Sequence, residues 1–191
     1  MTTAATAPDY MQCRPEIVGG LIEIASDALM STFPTLKVDP YDIELMLDAL
    51  RVLRPRVSEI QMLEGVLHMA RGHWDDAILA LREVCEIAPN FSYAKALLAY
   101  CLSSKGDAEW RIVANDVMAN QPTPDSATLM KALQAREDLA SAAQASVNGE
   151  TFVTPASVTA LVEESSEPQA EAAAPNEPAA GVLPYDMALR A

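Results

Sequence analysis

The segment VSEIQMLEGVLHMARGHWDDAILALREVCEIAP, residues 57–89, reads as two amphipathic helices joined by a turn. Ile60, Leu63, Leu67 and Ala70 recur at spacings of three and four, the period that lines side chains along one stripe of an α-helix. Gly72 supplies the left-handed residue on which such a helix ends. Trp74, Ala77, Ile78, Leu81, Val84, Cys85 and Ala88 then resume the same period until Pro89 stops it. Neither helix buries its apolar face alone, so the hairpin needs neighbours.

Neighbours of the same kind lie on either side. Gly65, Gly72, the aromatic Trp74, Ala77 and Pro89 stand at the spacings of a tetratricopeptide repeat, whose period is 34 residues. One period forward, Gly65 maps to Ala99, Gly72 to Gly106, and Pro89 to Thr123, which Pro122 and Pro124 flank; one period back, Pro89 maps to Pro55. The fold class expected is an all-α, tetratricopeptide-like stack of about seven helices.

From Pro15, the series Ile17, Leu21, Ile24, Ala25 and Ala28 marks a first helix that ends near Ser31. Asp39 as N-cap and Pro40 in the first helical position open a second, with Ile43, Met46, Leu47, Leu50 and Leu53 as its stripe and Pro55 as its end. This pair lacks the repeat's glycines, as a terminal capping pair would. The hairpin of residues 57–89 supplies helices three and four. Asn90 is placed to cap helix five, in which Tyr93, Ala96, Leu97, Tyr100 and Cys101 share a face and Gly106 marks the end. Helix six is expected from about Asp107 to Asn120 around Trp110, Val113, Ala114, Val117 and Met118. Thr123-Pro124 starts a seventh, carrying Leu129, Leu133, Arg136 and Leu139 to about Ala145 and sealing the stack.

Three segments follow: residues 1–14, short and polar; a helical domain over 15–145; and an acidic, Ala/Pro-rich tail over 146–191. Residues 150–191 hold five prolines, seven acidic side chains and one basic one, too little apolar surface to offset the entropy of ordering them, so disorder is expected. Leu183 to Arg190 reads as the ordinary end of a tail or as a short docking segment, the former being favoured.

With 27 acidic against 13 basic side chains the net charge is −14, which repels phosphate backbones and argues against nucleic-acid binding. No apolar run approaches a membrane span, and the amino-terminal residues show neither the cationic segment nor the apolar core of a secretory signal, so a cytoplasmic protein is expected. Cys13, Cys85 and Cys101 are odd in number, the last two among core-type residues; no structural disulfide is expected.

Signs of chemistry are weak. His68 and His73 are the only histidines, five apart with Asp75 and Asp76 nearby; zinc sites use three or four ligands, and packing is the favoured role for His68, so no metal is expected. Phosphate loops, nucleophile elbows and Cys-His pairings do not occur, so neither catalytic residues nor cofactors are expected and the protein reads as no enzyme. Arg51, Arg54 and Arg56 crowd one helix junction, where they meet an acidic partner or simply favour a helix carboxyl end.

The surface with most to offer is the groove that the first helices of successive repeats line. In the 34-residue register it holds Glu59, Met62, Val66 and Met69, then Tyr93, Ala96, Tyr100 and Ser103. Met and Tyr make an adaptable apolar trough suited to an amphipathic helix, unless flanking helices bury the same residues as core. Gln61 and Glu64 stand at inward positions that the repeat normally fills with apolar side chains.

The run from Leu50 to Asn120, above all RVLRP at 51–55, GVLHMARGHWDDA at 65–77 and PNFSYAKAL at 89–97, resembles the small tetratricopeptide-like proteins of bacterial Hrp-type type III secretion clusters. The likeness spans roughly residues 15–145. It implies a non-enzymatic accessory protein for building the secretion apparatus, similar in architecture to the helical-repeat chaperones that hold needle or pilus subunits. The implied partner is another apparatus protein, such as an amphipathic needle or rod subunit. The resemblance carries no catalytic residues over: Gly65, Gly72, Trp74, Ala77, Pro89 and Gly106 are structural repeat positions. Some members of that family are placed in the periplasm, and a type III apparatus can export proteins without a signal peptide, so periplasmic location by that route is the alternative to the cytoplasm. The alternative expectation is therefore a periplasmic, envelope-associated structural component; self-association into a homo-oligomer is a third.

Overall fold

The structure, a computed structural model, describes residues 13–120, 122–149 and 151–166. Among these it is all-helical: α1 (Pro15–Met30), α2 (Pro40–Leu53), α3 (Ser58–Ala70), α4 (Trp74–Ile87), α5 (Ser92–Lys105), α6 (Trp110–Ala119), α7 (Pro124–Val147) and α8 (Ala156–Ser166). Each helix packs on its sequence neighbour from α1 to α8, while α1 also lies along α3 and α5 along α7. Successive hairpins thus bury the faces that single helices leave wet.

The repeat is visible in the backbone. Gly72 and Gly106, 34 positions apart, both have φ of 75°, where a Cβ would strain the chain. Both close their helices with the same pair of bonds: Gly72 N donates to Met69 O (3.0 Å) and His73 N to His68 O (2.9 Å), as Gly106 N does to Ser103 O (3.1 Å) and Asp107 N to Leu102 O (3.0 Å). Helices α2 and α4 end alike too. Arg54 and Ala88 each precede a proline, leave the helical region with ψ of 79° and 75°, and donate to Leu50 O and Val84 O at 2.8 Å.

Gly65 allows α3 and α4 to approach. A Cβ there would stand 2.8 Å from Cγ and 3.0 Å from Cδ2 of Leu81, itself wholly buried. Ala77 and Ala99 are wholly buried as well, so small residues sit where helices cross most closely. One continuous core runs from Val18, Ile22 and Leu29 through Leu47, Leu63, Leu81 and Leu98 to Val117, Met130 and Leu133.

The caps follow the sequence in two places and depart from it in two. Asp39 accepts from Tyr41 N (2.9 Å) and Thr123 from Ser126 N (3.2 Å). Helix α5 is instead preceded by Phe91, because Asn90 turns its backbone carbonyl, not its side chain, toward Ser92 N (3.0 Å). Helix α6 starts at Trp110 rather than near Asp107, whose carboxylate is used in the turn before it, accepting from Glu109 N (2.9 Å).

The acidic tail begins differently from the disorder expected after residue 149. Helix α8 folds back on α7, joined by Lys131 to Glu164 (2.8 Å) and by Ser157 Oγ donating to Asp138 (2.6 Å). These contacts are polar and distant in sequence, so composition gives no sign of them. Residues 1–12 and 167–191, including Leu183 to Arg190, lie outside the described residues.

Candidate functional site

The odd-numbered helices line the concave face. Because α3 and α5 meet only sparingly, a trough of about 420 Å³ opens between them. Val66 and Met69 form its floor, Tyr93, Leu97 and Tyr100 one wall, and Met30, Phe33 and Leu129 close its ends. Tyr93 donates its hydroxyl to Met30 Sδ (3.8 Å), and its ring is held half-buried; burial first, then the charge of Asp125, raises its pKa, so the hydroxyl stays protonated. Trp74 tilts against Tyr100 with ring centroids 6.1 Å apart, fixing the far wall on α4.

The structure divides the eight groove residues read from the sequence. Val66, Met69, Tyr93 and Tyr100 share the trough. Glu59 and Met62 line a second depression of about 470 Å³, between α1 and α3, with Ile22, Glu23, Asp27 and Met30. Ala96 is a correction: it is wholly buried, because α5 is apolar nearly all round and turns that side to the core. Ser103 is engaged by α7, accepting from Arg136 Nη2 at 2.6 Å. Met62, Val66 and Met69 are themselves nearly buried, so the floor is core and groove at once. Met30, Phe33 and Leu129 were not anticipated, since they come from outside the repeat register; Leu129, on the apolar stripe of α7, was the one with a signal.

Of the two polar departures, one forms an ion pair. Glu64 pairs with Arg51, tying α3 to α2, which explains a carboxylate at an inward position. Gln61 is half-buried. Arg54 donates to Cys13 O (2.9 Å), anchoring the segment before α1, while Arg56 is exposed. The arginine cluster thus serves mostly to join helices.

His68, His73 and Asp76 come together at the α3–α4 turn, with donor atoms all within 4.8 Å of one another. Together they could hold a divalent cation. His73 and Asp76 are exposed, whereas His68 is half-buried, with Nδ1 buried and unpartnered. Desolvation lowers the His68 pKa and outweighs the opposing charge of Asp76, so the ring favours its neutral form. Nearby, Arg71 pairs with Glu44 at 2.7 Å and holds that carboxyl below its ordinary range. Cys101 is wholly buried and its thiol is pushed up to about 12, so it acts as a small apolar side chain.

No helix among the described residues is long and apolar enough to cross a membrane. No curated protein and no solved structure matches the chain. A family described as bacterial type III secretion protein (HrpB1_HrpK) matches residues 8–139, which takes in α1 through α6 and most of α7. The chain belongs to this bacterial type III secretion protein family.

Proposed function

We propose that this protein is a non-enzymatic accessory factor for assembling a type III secretion apparatus, and that it acts by receiving an amphipathic helix of another apparatus protein in the trough between α3 and α5. The observation that supports this reading is the trough itself. Met30, Met69, Tyr93, Tyr100 and Leu129 present adaptable apolar surface in a concave setting whose floor is fixed by the core. Thioether and phenol side chains conform to varied apolar helices, and binding a helix there would hide its sticky face until assembly. A cytoplasmic holding role fits this arrangement.

The test is co-purification from the native operon with Tyr100→Asp and Leu129→Glu variants. Both residues are half-buried at the trough, so each variant should keep its helical circular dichroism. We expect the wild type to retain a needle or rod subunit and both variants to lose it. Retention by folded variants would overturn the reading.

One observation favours a second reading, self-association as an envelope component. At the open end of the stack Ile17, Ile24, Val38 and Tyr41 are exposed, with Ile24 and Val38 lining one hollow. Light scattering distinguishes the two: a stable dimer dispersed by Ile24→Glu supports self-association, and a monomer at micromolar concentration removes it.

A further inference from the structure

The two depressions on the concave face are continuous. Met30 lines both, and Met62 and Val66, one turn apart on α3, carry the floor from the first into the second. Their chemistry differs. The α1–α3 end is rimmed by Glu23, Asp27 and Glu59, the α5–α7 end by Tyr100 and Leu129. Glu23 and Asp27, four apart, project from the same side of α1, and Glu59 faces them from α3.

These three carboxylates share one depression and, among the described residues, carry no ionic partner of their own. Glu44, Glu64, Glu109, Asp116 and Glu137 each meet an arginine or lysine, whereas Glu23, Asp27 and Glu59 form no ion pair among the described residues. Lys37 lines the hollow on the other side of Glu23 and Asp27 and pairs with neither. Three negative charges around one apolar depression make the local potential more negative and attract a cation.

We infer that the groove selects a partner helix by polarity: an amphipathic helix carrying Lys or Arg in one terminal turn, seated so that those cations meet Glu23, Asp27 and Glu59 while its apolar face fills the trough beside Tyr100 and Leu129. This rests on the groove-binding reading above and adds the chemistry and orientation of the occupant. Charge argues against the two occupants that this chain could itself supply. Residues 167–191 carry Glu167, Glu171, Glu177 and Asp186 against Arg190 alone, and a second copy brings a net charge of −14. Both are repelled from an acidic rim.

The experiment uses the full chain and two labelled, designed amphipathic peptides of about 18 residues, long enough to span the groove as helices. They share one apolar face; one carries three lysines in a terminal turn, the other three glutamates. Fluorescence anisotropy at low salt should show the lysine peptide binding at least about tenfold more tightly. In Glu23→Gln/Asp27→Asn/Glu59→Gln the advantage should shrink to within about twofold. In Asp42→Asn/Glu83→Gln/Glu86→Gln, which removes the same charge from exposed positions on α2 and α4, it should persist. Equal loss in both variants would reduce the effect to net charge and overturn the inference. Equal binding of the two peptides, abolished by Leu129→Glu, would overturn the polarity and leave the groove reading standing. Failure of both peptides to bind would remove the inference and the groove reading together.

Discussion

The hairpins α3–α4 and α7–α8 are built on opposite terms. In α3–α4 the contact surface is apolar and close: Leu63, Val66, Ala77, Leu81 and Val84 are buried against one another and Gly65 lets the helices touch. In α7–α8 much of the joining is done at the rim by Lys131–Glu164 and Ser157–Asp138, while Phe152, Val153 and Val162 remain exposed. Burial of apolar area is proportional to what is removed from water and is large for a filled interface; exposed ion pairs contribute from about 0 to 1 kcal/mol each. The first hairpin therefore holds the fold together, and the second is an attachment to it.

The difference can be broken most sharply at Leu81. Its side chain is wholly buried opposite Gly65, so Leu81→Ala leaves a cavity and should cost about 2–5 kcal/mol, read from urea unfolding. A cost below about 1 kcal/mol would mean that α3 and α4 collapse freely and that the close packing is unimportant. Next in size are the two helix ends. Gly72→Ala and Gly106→Ala force a Cβ into φ of 75°, each expected to cost about 1–2 kcal/mol, and by similar amounts, because the backbone bonds around them are the same. Unequal costs would show that the two repeats are equivalent in shape only.

A smaller, pH-dependent effect belongs to His68. Its folded pKa lies below the ordinary histidine value through desolvation, so the unfolded chain binds the proton more readily. Its contribution is complete above the ordinary histidine range and is lost progressively as pH falls through that range toward the folded value. Melting temperature should therefore fall on acidification from pH about 7.5 to 5.5, and His68→Tyr should flatten that slope. An unchanged slope in the variant would assign the effect elsewhere.

The same contrast explains what the sequence made legible. Helix boundaries and the 34-residue period rest on local signals: apolar spacing, glycines at 72 and 106, and prolines after Arg54 and Ala88. Those signals are chemical properties of single residues, so they can be read without neighbours. Half of the trough followed, because Val66, Met69, Tyr93 and Tyr100 are repeat positions. The rest depends on how helices rotate and which of them cover others. Ala96 went to the core, Ser103 to Arg136, and Met30 and Leu129 arrived from helices at either side, none of which spacing encodes. Helix α8 was illegible for the same reason, since Asp138 and Ser157 pair across 19 positions of Ala-rich sequence.

The smallest effect is expected where α8 meets α7, and it tests whether that hairpin is separable. Ending the chain after Gly149 removes a helix that, among the described elements, packs on α7 alone, so the melting temperature should stay within about 4 °C of the full chain. A larger drop would make α8 part of the cooperative core. Its docking should nevertheless respond to acid. The Asp138 carboxyl, held by Ser157 and then by Gln134, titrates below the ordinary carboxylate range. A depressed folded pKa contributes attachment above the unfolded value and loses it as pH falls through the folded one. Hydrogen-exchange protection of the α8 amides relative to those of α4 should thus be steady from neutral pH to the ordinary carboxylate range and decline below it. Asp138→Asn should lower that protection at neutral pH and remove the acid-dependent step, leaving α4 unaffected. A step that persists in the variant would show that Glu164, paired with Lys131, carries the attachment instead.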